Sequence, residues 1–136
     1  MFTIIQNVLR NCTMNDKLKQ YGLLVIRILI GLAFFGAGAA KLSGVEMMVA
    51  SFETIGLGQW FRYLTGAIEV GSAILLFVPG KQVWGAGLLV CTMIGAVFAH
   101  LLILGPGAAP AITLGLLSAL VAYNYRDQIP LLNRPA

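Results

Sequence analysis

FRYLTGAIEVGSAILLFVP, residues Phe61–Pro79, is the stretch that decides how the rest of the chain folds. Its length and apolar content suit a bilayer crossing, which takes about 20 predominantly apolar residues. Glu69 sits near its middle, where a charged side chain costs roughly 2.5–3.5 kcal/mol on a translocon-insertion scale. Thr65, Glu69 and Ala73 recur at i+4, flanked by Gly66 and Gly71. Small residues let helices approach closely, so the spacing predicts that Glu69 faces protein rather than lipid.

The composition sets the same solvent for the whole chain. Of 136 residues, 59% are hydrophobic and 10% charged, against roughly 25% charged in a soluble domain. The mean hydropathy is +0.88. This is the composition of an integral membrane protein. The net charge of +4 does not imply nucleic acid, because the basic residues form no stripe and cytoplasmic loops normally carry such an excess. Cys12 and Cys91 form neither a C-x-x-C pair nor a metal spacing. With His100 the only histidine, one chain supplies no His cluster, and no metal site is expected.

Working outward from Glu69, four spans emerge, at about residues 21–40, 61–79, 83–104 and 109–125. The first resembles a signal peptide at its Ala37-Gly38-Ala39 end, but its apolar run is too long. It also carries Arg27, which ten apolar residues at about −0.3 to −0.6 kcal/mol each outweigh against about +3 for one Arg. Arg27, Gly31, Phe34, Gly38 and Lys41 share one face. Between the first two spans, Val45, Met48, Val49, Phe52 and Ile55 predict a short interfacial helix, with Trp60 and Tyr63 at the membrane boundary. In the third span, Gly87, Cys91, Gly95 and Ala99 repeat at i+4, beside Thr92, Ala96 and His100. That double row predicts the packing face and aims His100 inward. Residues 1–20 follow a helical period through Phe2, Ile5, Leu9 and Cys12 and form a cytoplasmic segment, an interfacial helix in one reading and a frayed end in the other. Residues 126–136 form a cytoplasmic tail. The fold class is thus an all-α membrane protein, a four-transmembrane-helix bundle with a short interfacial helix between helices 1 and 2.

Basic residues orient the bundle. Arg10, Lys17, Lys19, Lys81, Arg126 and Arg134 fall on one side, and only Lys41 and Arg62 on the other. The positive-inside rule then puts both termini in the cytoplasm. Four ionisable residues stand in or at the edge of the bundle: Arg27, Lys41, Glu69 and His100. They read in two ways. One is a polar ligand pocket opening toward the outer half of the membrane. The other is an Arg27–Glu69 ion pair that fixes helix order, with His100 bonded to a carbonyl. Cys91 reads as a packing residue.

The motifs Arg27-x-x-x-Gly31-x-x-Phe34, Gly38-x-x-Lys41-Leu42 and Gly66-x-x-Glu69-x-x-Ser72 resemble the DoxX family. So do Phe52, Gly56, the Gly- and Ala-rich third span and His100, and the resemblance covers about Tyr21–Tyr125. It implies four helices in the cell inner membrane and a link to membrane redox metabolism, including quinone-coupled oxidation. Carried over by position, the family's polar residues are the same four. Two functions stay open on these grounds. One is a subunit or partner of a membrane redox system that binds a quinone or similar small molecule, with a redox enzyme or a second copy as partner. The other is a noncatalytic scaffold or anchor for a partner protein. A carrier is disfavoured, because no inverted repeat is visible.

Overall fold

A computed structural model describes residues 1–132 of the chain, except the side chains of residues 12 and 13. Residues 133–136, with Arg134 and the end of the expected tail, lie outside the described residues, as does the side chain of Cys12. Among the described residues every regular element is helical: α1 (Phe2–Ser43), α2 (Glu46–Ile55), α3 (Gln59–Leu75), α4 (Gln82–Ala99), a π-helical turn (His100–Leu104), α5 (Ala109–Asn124) and a 3₁₀ turn (Arg126–Gln128).

The 42-residue α1 is about 63 Å long at 1.5 Å per residue, twice the thickness of a hydrocarbon core. No break separates residues 1–20 from the first span, because no Pro interrupts the joint. The helix stops at Gly44, whose φ of 73° turns its N–H back onto the carbonyls of Ala40 and Lys41. α3 ends at Leu75, earlier than the apolar run suggests, because Pro79-Gly80 forces a turn.

Antiparallel neighbours build the bundle: α1 packs on α3, α3 on α4, and α4 on α5. Two glycine crossings set the register. A Cβ on Gly38 would lie 2.8 Å from the Gly66 carbonyl oxygen, and one on Gly85 would lie 2.7 Å from that of Ser72. Any side chain there would force the helices apart. Between the crossings, Ile30, Phe34, Leu76, Ala86, Leu89 and Val121 form the buried core. The Gln128 amide ties the end of α5 to the start of α4, accepting from the Val83 N–H at 3.1 Å and donating to Gln82 Oε1 at 2.6 Å. At the opposite end α2 lies across α1, α3 and the π turn, burying Phe52 at 5.9 Å from the Phe61 ring.

α1 and the continuous Gln82–Leu104 rod are each long and apolar enough to cross a membrane. α3 and α5, at 17 and 16 residues, are shorter. One expectation holds only in part: Ala96 packs against the core and His100 Nδ1 is buried, but the glycine row beside them does not face inward. The inward row of α4 is Gly85, Leu89 and Met93, while Gly87 and Gly95 have open space where a Cβ would stand and Cys91 is exposed. Both rows repeat at i+4, and the bulkier one fills the core because it buries more apolar surface.

Candidate functional site

The Gly38–Gly66 contact fixes what Glu69 meets. With α1 antiparallel to α3 and Gly38 seated on Gly66 and Val70, Lys41 comes one turn further along α1 and reaches over Gly66. Its Nζ donates to Glu69 Oε2 at 2.7 Å. The Arg27–Glu69 pair, one of the two readings of the sequence, therefore does not form. Glu69 is 1% exposed, and the Lys41 side chain is 13% exposed. Together they are a neutral, charge-assisted couple, the form in which a buried carboxylate is tolerated.

Arg62 joins this end of the bundle, on the side where base counting put it, but buried in a capping role that the count did not foresee. It is 4% exposed. Its Nε donates to Gln59 Oε1 at 2.6 Å, and its Nη1 donates to the Lys41 carbonyl. The guanidinium lies 4.3 Å from the Tyr63 ring centroid. It thus caps the C-terminal carbonyls of α1, where the helix carries partial negative charge. Gln59-x-x-Arg62 directly after the Gly56–Gly58 break is the only sequence signal for it.

Arg27 lies at the other end. Its Nη1 donates to the Leu76 carbonyl at 2.9 Å, a residue seven positions beyond Glu69 and so about 10 Å along the helix axis. The guanidinium sits 5.8 Å from the Phe77 ring and 5.5 Å from that of Tyr125. Its Nε is buried without a hydrogen-bond partner.

His100 opens the π turn, on the same end as Lys41 and Glu69. Its carbonyl accepts the Gly105 N–H at 2.8 Å, the i+5 bond that widens the helix there. Its ring Nδ1 is buried with no partner and faces Gly107, where a Cβ would lie 3.7 Å away. Ser72 Oγ, one turn from Glu69, is likewise buried and unpartnered. Of the four predicted residues the structure joins Lys41 to Glu69, sets His100 at their end and separates Arg27. Among the described residues no group of three or more His, Cys, Asp or Glu is arranged to hold a metal ion.

Comparison with known proteins identifies the architecture. Residues 22–102 match the DoxX profile. The chain belongs to the DoxX family. The match covers α1 from Gly22, all of α2 and α3, and α4 with the start of the π turn, so it contains all four predicted polar residues. A relative from Bacillus subtilis (strain 168), named "Putative oxidoreductase CatD", is 32% identical over 83 residues, 60% of this chain and 61% of its own length. This DoxX chain thus spans less than two thirds of that relative. No solved structure matches it significantly.

Proposed function

We propose that this DoxX protein is a four-span subunit of a membrane redox system, binding a quinone or similar small molecule at the His100 end of the bundle. The observation that carries this reading is the buried, unpartnered Nδ1 of His100 at a π turn. Buried polar atoms are nearly always hydrogen-bonded, and π turns are frequent at functional sites. A neutral imidazole offers one donor and one acceptor, which suits a quinone carbonyl or the hydroxyl of its reduced form. Ser72 Oγ, also buried and unpartnered, lies at the Gly85 crossing on the other half of the bundle and is no part of this site. A bound quinone would supply reversible electron transfer. The chain's own part is to bind it and keep water away. Support for redox work also comes from the oxidoreductase name of the B. subtilis relative.

On this reading α3 and α5 also span the bilayer, α3 at the short limit of about 17 residues and α5 one residue under it, and the positive-inside rule puts both termini in the cytoplasm of an inner-membrane protein. Reporter fusions at residue 50 and at the C-terminus test this. An active periplasmic reporter at the C-terminus would reverse the orientation. The scaffold reading keeps one observation of its own, the closed Lys41–Glu69 pair, since a fully satisfied couple needs no ligand. His100→Ala separates the two. A ligand site predicts near-unchanged thermal stability with weakened quinone-analogue titration. A destabilised variant with unchanged titration would leave the scaffold.

A further inference from the structure

Two hollows lie on successive turns of the Arg27 half of α1. The first, about 450 Å³, is lined by Lys17, Gln20, Tyr21, Leu24, Arg27 and Tyr125, among others. The second, about 240 Å³, is lined by apolar groups including Ile28, Gly31, Leu32, Phe35 and Phe77. Leu24 and Arg27 of the first lead directly to Ile28 and Gly31 of the second, on the next turn of α1. Phe77 joins them, because it walls the apolar hollow and also lies against the Arg27 guanidinium. A polar mouth therefore runs into an apolar groove.

The chemistry of the mouth is one-sided. Lys17 and Arg27 are cationic, and no carboxylate lines it; Asp16 and Asp127, the nearest acids in sequence, are not among its walls. Arg27 still has its Nε free of any partner. Tyr21 and Tyr125 have the amphipathic rings that favour the headgroup level of a bilayer. This mouth lies at the end of the bundle where α3 and α5 finish and α4 begins, at the start of the expected first span. From these features we propose that an anionic phospholipid docks here, with its phosphate against Lys17 and Arg27 and one acyl chain along Ile28, Gly31, Leu32 and Phe77. The site is separate from the His100 end, and it stands or falls without the quinone reading.

The test uses the full chain in detergent micelles, titrated with phosphatidylglycerol, phosphatidylcholine or inorganic phosphate, and read by native mass spectrometry and thermal unfolding. Wild type should retain phosphatidylglycerol in preference to phosphatidylcholine, and inorganic phosphate should give little protection. Lys17→Gln, at an exposed side chain, should reduce that preference roughly fivefold, the worth of one basic residue at an anionic surface. Ile28→Trp, which fills the apolar groove, should weaken phosphatidylglycerol retention. Arg27 stays intact because it also holds Leu76. Equal retention of the two lipids by wild type would overturn the proposal, as would an unchanged preference in Lys17→Gln. Protection by inorganic phosphate equal to that by phosphatidylglycerol would mean a simple anion site and would overturn the lipid.

Discussion

The two ends of the bundle use the same kinds of side chain to opposite effect. At one end Lys41 meets Glu69 at 2.7 Å, Arg62 caps α1, and each charge has a local answer. At the other, Arg27 holds one carbonyl, keeps a buried nitrogen unpartnered and borders an open hollow with Lys17. Helix register, not residue type, makes the difference. The Gly38–Gly66 crossing brings a cation opposite the only acid in α3, whereas Arg27 meets a backbone carbonyl and two aromatic rings. Charges that are paired inside protein hold helices together, whereas charges left half-answered at a boundary are available to something else.

The paired end should be the more fragile to single changes. Lys41→Ala or Glu69→Ala leaves one buried charge uncompensated, which typically costs about 3–5 kcal/mol. Replacing both, as in Lys41→Met with Glu69→Leu, should cost much less than the sum of the singles. Equilibrium unfolding of the four proteins in mixed micelles reads this directly. Additive losses would show that the couple is not a unit.

Removing the cation at the open end should cost less. Arg27→Ala forfeits one hydrogen bond from a charged donor, about 1.5–3 kcal/mol, and the contacts with Phe77 and Tyr125. Because Arg27 and Glu69 share no partner, Arg27→Ala and Glu69→Ala should add. Strong non-additivity between them would restore the Arg27–Glu69 pairing that the sequence alone suggested.

That mistaken pairing shows where the sequence stops being legible. A carboxylate amid small residues in an apolar run identified Glu69, and the long all-α layout followed from composition and period. Neither could supply the register of α1 on α3. Arg27 and Lys41 lie on the same face of α1, and only the close approach of Gly38 to Gly66 chooses between them. Arg62 was hidden for a related reason. Its role depends on where α1 ends, and that end is set by the left-handed turn at Gly44. The π turn at His100 left no signal, since its widening is a matter of which carbonyl the Gly105 N–H selects.

The small-residue rows give the finest test of the same point. Gly38 and Gly95 look alike in sequence, each three or four residues from another small or polar residue in a long apolar helix. In the fold they differ completely. A Cβ on Gly38 would run into the Gly66 carbonyl oxygen, whereas one on Gly95 meets nothing within 4 Å. Gly38→Ala should therefore cost about 1–3 kcal/mol, the usual penalty of overpacking, and it should also loosen the Lys41–Glu69 couple, whose register depends on that crossing. Gly95→Ala should leave stability unchanged or raise it by up to about 1 kcal/mol, the helix-propensity gain of Ala over Gly. Thermal unfolding of both variants beside wild type makes the comparison. A loss at Gly95 as large as that at Gly38 would mean that the outward row of α4 is covered in the membrane, and a second helix would have to be sought on that face.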